Sequence, residues 1–166
     1  MSTPSIVREK LLDLLHGGDA HMDFEEVMAD FPEDSINAKA PHTPYSAWHI
    51  LEHMRLAQWD ILEFIRNPHH VSPPYPEGYR PRSDQVADVT AWPQSIEAFR
   101  RDRSALRELV ADPEADLLAP IPHAPEYTIF REILVLSDHT AYHIGELALL
   151  RQVIDAWPQD SPYLTG

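Results

Sequence analysis

The 166-residue chain is long enough for one domain with a hydrophobic core, because 43% of its residues are hydrophobic. It contains no cysteine, which excludes disulfides, thiolate metal ligands and a cysteine nucleophile. The formal net charge of −14 argues against a nucleic-acid partner and against docking on an anionic membrane, since both depend on lysine and arginine. No leader-like or membrane-length apolar segment is apparent, so we expect a cytoplasmic protein.

Sixteen prolines divide the chain into helix-forming segments and loops. The long proline-free segments are 45–67, 94–112 and 126–157, and they are rich in leucine, alanine, glutamate and arginine. The alternation that is typical of strands is absent, so the sequence predicts a mostly helical chain. The proline-rich stretch 68–81 is expected to form a crossover or lid loop.

The first half of the chain predicts three helices. The first covers residues 5–15 and is followed by a short helix near 23–29. The next long helix has Thr43 as its predicted N-cap and Pro44 as its first residue, and it extends to Arg66.

The second half predicts two more long helices. One covers at least 94–111. It either begins near Asp84 and is kinked at Pro93, or it starts at Pro93, and the sequence leaves both open. The last begins after Thr128 as N-cap and extends to Trp157. Four principal helices predict an all-α four-helix bundle that forms a single domain over 1–166.

The last predicted helix carries two histidines, His139 and His143, on its apolar seam. They are four residues apart and therefore share one face, one turn apart, where two imidazoles can bind one metal ion. The zinc-protease signature H-E-x-x-H is excluded, because threonine stands at position 140 where it needs glutamate. A ferritin-like di-iron site is disfavoured too, since no histidine here has glutamate three residues before it.

The helix that ends near Arg66 carries a second pair with the same spacing, His49 and His53. His53 lies close to the inward face, whereas His49 lies further towards one flank. Two ligands from the last helix and one from this helix would give three histidines and an open position, as in many catalytic zinc sites. We expect a divalent metal, zinc or nickel before iron or copper, all of which imidazole suits.

Other polar residues near these pairs have open roles. Asp60 lies seven residues after His53 and suits either an outer hydrogen-bonding position or a fourth ligand, whereas Glu146 suits holding the His143 ring. Tyr142 is expected to make core or bundle contacts. The remaining histidines lie near helix ends or in loops, where most should be exposed, although His123 could overhang the site. Without a metal, the four helical histidines would need hydrogen bonds to carboxylates or carbonyls.

Two segments of the chain resemble the DinB family of bundle proteins, the DinB/YfiT-like metalloenzymes. They are PHTPYSAWHILEHMRLAQWD at 41–60 and DHTAYHIGEL at 138–147, and in helix order the resemblance extends over roughly 5–157. The resemblance implies a four-helix bundle with a divalent metal on His53, His139 and His143. His49 does not correspond to a ligand position of the family.

The resemblance also implies a class of function. Some members of the family are transferases or isomerases that use low-molecular-weight thiols such as mycothiol, bacillithiol or glutathione. We therefore expect a metal-dependent enzyme that transfers an external thiol to a small electrophile, with catalytic residues unassigned. The alternatives are a metal-dependent hydrolase, a non-catalytic metal-binding or interaction dimer, and a bundle without metal. Members often pair, so a homodimer is expected.

Overall fold

The computed structural model describes residues 3–164, and four long helices dominate it. The helices are α1 (Ser5–His16), a short α2 (Phe24–Met28), α3 (Ala47–Arg66), α4 (Ala91–Ala111) and α5 (Ile129–Val153). Each of α1 and α3 packs against both α4 and α5, which builds a four-helix bundle and confirms the predicted fold class. None of the helices in the described part of the chain is long and apolar enough to cross a bilayer.

The start of α3 differs from the prediction by three residues. Thr43 belongs to a turn instead, because its amide and hydroxyl both donate hydrogen bonds to the Ala40 carbonyl, at 3.1 and 2.8 Å. Ser46 is the N-cap, and the ring Nδ1 of His49, the third helical residue, lies 3.4 Å from the Ser46 amide nitrogen. This pairing gives the Ser46 amide an acceptor, so the helix begins after Ser46 and not at the predicted Thr43–Pro44 pair.

The start of α4 resolves the open question about Pro93. Pro93 is the third residue of α4, where a missing N–H costs no intrahelical hydrogen bond, so it marks a start and not a kink. The Asp88 carboxylate accepts from the amides of Thr90 and Ala91 at 2.8 and 2.9 Å just before the helix.

The start of α5 agrees with the prediction and its end does not. Thr128 is the N-cap, and its hydroxyl accepts from the Arg131 amide at 3.1 Å. The helix ends at Val153, four residues short of the predicted end. Asp155 adopts a left-handed φ of 54°, and the Ala156 amide donates back to the Arg151 carbonyl at 2.8 Å, which turns the chain.

The structure adds a small antiparallel sheet that the sequence does not predict. Strand β1 (Pro120–Ile121) pairs with β2 (Ala124–Thr128) directly before α5. Strands this short contain too few residues to display the alternation by which strands are read from a sequence.

The core consists of two clusters of buried apolar side chains. The first joins α2 to the first half of α3 and the second half of α5, and it includes Phe24, Val27, Leu51, Met54, Ile144 and Leu147. The second joins α1 to the second half of α3 and the first half of α5, and it includes Leu11, Leu15, Leu62, Ile65, Ile133 and Leu136. Helices α3 and α5 therefore run antiparallel, which brings His53 opposite the histidine pair of α5.

Candidate metal centre

Three imidazole rings meet between α3 and α5. The ring centroids of His53 lie 4.8 Å from His139 and 4.6 Å from His143, and the two α5 rings are 4.4 Å apart. One ring nitrogen from each residue lies within 4.8 Å of the other two. The structure thus brings together the three histidines that the sequence singled out, in a cluster that could hold a metal ion.

Hydrogen bonds on the outer side of two rings fix which nitrogen faces inward. His53 Nδ1 lies 2.8 Å from the Tyr79 carbonyl oxygen, which can only accept, so Nδ1–H donates and Nε2 carries the lone pair. His143 Nδ1 lies 2.6 Å from Glu146 Oε2, and the same logic leaves its Nε2 free. Glu146 thereby takes the orienting role that its spacing suggested.

The inner face of the cluster fits a cation. His139 Nε2 lies 3.0 Å from His53 Nε2, which carries a lone pair, so the His139 Nε2–H donates to His53. A metal ion that takes the place of this proton would be bound by both nitrogens. His139 Nδ1 is buried without a hydrogen-bond partner among residues 3–164, so within that range the nitrogens of this ring are held through the contact with His53. Three imidazole nitrogens are an ordinary ligand set for Zn²⁺ and suit Ni²⁺ as well.

Burial keeps the rings in the neutral form that metal binding requires. Desolvation lowers the pKa of His139 to about 4, helped by the neighbouring charges of His143 and His53. Desolvation is also the main cause that lowers the pKa of His53, against the opposing hydrogen bond to the Tyr79 carbonyl. At neutral pH these two imidazoles therefore offer lone pairs and carry no charge.

The cluster opens onto a small cleft of about 160 Å³. His53 and His143 contribute to its wall, together with Tyr45, His49, Ile50, Arg80, Tyr142 and Glu146. A larger cleft of about 290 Å³, beside the end of α1, contains none of the three clustered histidines, so the smaller cleft is the one that bears on their chemistry. A small molecule in it would contact the histidine cluster directly.

His49 does not join the cluster. Its Nδ1 accepts from the Ser46 amide at 3.4 Å and lies 2.8 Å from the Ser46 hydroxyl. Its Nε2 then donates to the Arg82 carbonyl at 2.9 Å. Both ring nitrogens are thus used, and His49 serves to tie the start of α3 to the loop that precedes α4.

Asp60 does not point into the cluster either. Its two carboxylate oxygens each lie 2.6 Å from a partner, one from His70 Nε2 and the other from the Tyr79 hydroxyl. Burial, together with the hydrogen bond to Asp60, raises the pKa of Tyr79 to about 12. The hydroxyl therefore stays protonated and donates to Asp60. Asp60 therefore anchors the loop whose Tyr79 carbonyl holds His53.

Sequence reasoning missed the part of the site that comes from the 68–81 stretch and its continuation. This stretch contributes a short 3₁₀ turn, Glu77–Tyr79, that packs on α3 and is followed by Arg80 at the cleft. The stretch has no periodicity from which those positions could be read. The loop histidine His70 was expected to be exposed, but its side chain is only 7% exposed.

Two weaker expectations prove wrong. Tyr142 is 66% exposed and is therefore not a core residue, although its ring lies 5.0 Å from that of His143. His123 is exposed and its Nε2 bonds to the Phe64 carbonyl near the far end of α3, so it does not overhang the cluster.

Comparison with known proteins points to one family. The family model described as the DinB superfamily matches residues 18–147, which is more than half of the chain and includes all three clustered histidines. No curated protein and no solved structure matches the chain.

Proposed function

The chain belongs to the DinB superfamily, and we propose that it is a divalent-metal-dependent enzyme that transfers a small thiol to an electrophile. The observation that carries this proposal is the convergence of three imidazoles beside a cleft. His53, His139 and His143 would hold the ion, zinc or nickel. When bound, the ion would lower the pKa of a thiol in the cleft and so favour the thiolate nucleophile.

The chain's own residues would prepare the site and would not supply the nucleophile. Cysteine is absent, so the sulfur must come from an external thiol. Tyr79 and Glu146 orient two of the rings, and the small cleft limits the size of the reactants. In the transfer, the thiol loses its proton to solvent, its sulfur bonds to the electrophilic carbon, and the leaving group departs with the displaced electron pair.

The hydrogen bonds of Asp60 favour a metal site with an open coordination position over a site closed by a fourth side chain. A non-catalytic metal site would be favoured by a fourth side chain on the ion, either Asp60 or another residue. Both oxygens of Asp60 are hydrogen-bonded to His70 and Tyr79 instead. This supports an enzyme in which an exchangeable position faces the cleft.

Metal loading followed by a transfer assay tests the proposal. Protein without an affinity tag is loaded with Zn²⁺ or Ni²⁺, and elemental analysis is expected to give one ion per chain. The loaded protein should then speed the loss of thiol from mixtures of glutathione, cysteine or mercaptoethanol with chlorodinitrobenzene. The His143→Ala variant is the matched control and should lose both the ion and the acceleration.

Different outcomes separate the alternatives. Stoichiometric metal with thiol-independent hydrolysis of a nitrophenyl ester would replace the transferase by a hydrolase. Stoichiometric metal without either activity would favour a binding module. Less than one ion per two chains in the wild type would contradict the metal site itself.

We also propose that the chain pairs into a homodimer, as the family resemblance implies. An apolar stripe on the outer face of α5 supports this, because Val135, Tyr142 and Leu149 recur every seven residues and are 40%, 66% and 62% exposed. Light scattering is expected to give twice the mass of one chain, and Leu149→Glu should return it to the monomer. A small-molecule substrate, a cytoplasmic location and the lack of a nucleic-acid partner stay predictions.

A further inference from the structure

Arg80 lies in a backbone segment that is fixed on both sides. The preceding carbonyl, that of Tyr79, accepts from His53 Nδ1 at 2.8 Å. Two residues later, the Arg82 carbonyl accepts from His49 Nε2 at 2.9 Å. The α3 histidines thus hold this loop against the helix, and Arg80 is presented at the cleft from a defined position.

The Arg80 guanidinium lacks the partner that every other arginine of the described chain has. Each of the other ten arginines between residues 3 and 164 donates at least one hydrogen bond to a carboxylate or carbonyl oxygen. Arg80 makes no hydrogen bond or ion pair within that range, and it stacks on the Tyr45 ring with its Cζ 4.4 Å from the centroid. The stack holds the planar group while its donors stay free.

Arg80 shares its cleft with two of the clustered histidines, His53 and His143. The acidic residue of the same cleft, Glu146, is already engaged by His143 Nδ1 at 2.6 Å. In a chain with 27 acidic residues, an arginine left without a carboxylate beside a reactive cluster is suited to an anion from outside.

We propose that Arg80 binds the carboxylate of a small-molecule ligand whose other end reaches His53, His139 and His143. The guanidinium fork matches a carboxylate in two parallel hydrogen bonds, which gives orientation as well as affinity. The cleft, at about 160 Å³, admits only a small ligand, so both ends can be engaged at once. This inference rests on the proposed function, because it names the substrate class of that site as a carboxylate-bearing thiol or electrophile.

The test compares two thiols that differ in one charged group. Protein loaded with Co²⁺ is titrated with mercaptoacetate and with mercaptoethanol, and the visible absorption of the ion reports binding. The wild type is expected to bind mercaptoacetate about tenfold more tightly, the contribution of a hydrogen-bonded charge. In Arg80→Ala this preference should vanish while mercaptoethanol binds as before, and Arg80→Lys should keep part of it.

Arg82→Ala is the matched control, since Arg82 belongs to the same loop but is exposed and pairs with Asp84 at 3.2 Å. It should retain the full preference. Equal binding of the two thiols by the wild type, or an unchanged preference in Arg80→Ala, overturns the role of Arg80 and leaves the metal site intact. Failure of the wild type to bind Co²⁺ overturns the proposed function, and the inference about Arg80 with it.

Discussion

His49 and His53 on α3 and His139 and His143 on α5 are both pairs four residues apart, yet the two helices use them differently. Both residues of the α5 pair face the cluster. On α3, only His53 does, while both nitrogens of His49 are taken by Ser46 and the Arg82 carbonyl. Spacing therefore decides which rings share a face, and the partners of the outer nitrogens decide which rings are available to a metal.

The largest effect is expected from removing the clustered rings one at a time. His53→Ala, His139→Ala and His143→Ala should each abolish stoichiometric metal binding, because two imidazoles do not complete the site. His49→Ala should keep one ion per chain, although it leaves the Ser46 amide and Arg82 carbonyl unpaired. Elemental analysis after dialysis checks this, and an unchanged metal content in any of the first three variants removes that residue from the site.

The next effect concerns the pH dependence of the metal-free protein. The pKa of His139 is about 4 in the folded chain, against 6.5 for the free side chain, so between these values the unfolded chain binds the additional proton. This contribution to stability is fully present above pH 6.5 and is lost as the pH falls towards 4, by at most about 3 kcal/mol.

Urea unfolding of metal-free wild type and His139→Gln at about pH 7 and about pH 4.5 measures that contribution. The variant should lose less stability than the wild type on acidification, since it lacks the ring that the folded chain keeps neutral. Parallel losses in the two proteins would mean that the buried imidazole does not carry this dependence.

A smaller effect is expected where an outer partner is changed and the ring is kept. Glu146→Gln replaces the carboxylate that accepts from His143 Nδ1 with a neutral amide. The amide orients the ring less firmly and makes His143 Nε2 a weaker electron-pair donor to the ion. The affinity for Zn²⁺ should fall by about 10–100-fold, as is usual for such partners. Competition with a chelator measures it, and an affinity equal to that of the wild type would show that Glu146 does not support the ligand.

The helical part of this architecture could be predicted because its signals are local. The apolar seam on α5 placed His139 and His143 together, and Thr128 marked the start of that helix. The distinction between His49 and His53 was harder, because it depends on the carbonyls of Arg82 and Tyr79, which are 33 and 26 residues away in sequence. Hydrogen bonds between residues so far apart in sequence produce no periodic pattern from which they could be predicted.

The loop side of the site could not be predicted for the same reason. The 68–81 stretch reads only as proline-rich, yet Asp60 anchors it through His70 and Tyr79. Arg80 gains its position from these anchors and from the Tyr45 ring, and neither is visible in the local sequence. The α3 side of the cluster therefore depends on tertiary contacts to a degree that the α5 side does not.

The smallest effect should come from removing the hydrogen bond between Tyr79 and Asp60, which does not touch the clustered rings directly. Tyr79→Phe removes the hydroxyl that donates to Asp60 at 2.6 Å and leaves in place the backbone carbonyl that holds His53. Zn²⁺ affinity should fall by less than about tenfold, because the ring keeps its partner and loses only the rigidity of that partner. Tyr75→Phe is the matched control, since Tyr75 lies in the same loop but is 83% exposed, and it should not change the affinity. A loss of Zn²⁺ affinity as large as that of Glu146→Gln would mean that the bond between Tyr79 and Asp60 matters as much for His53 as a direct partner does. The difference between α3 and α5 would then lie in the groups that hold their histidines more than in the histidines themselves.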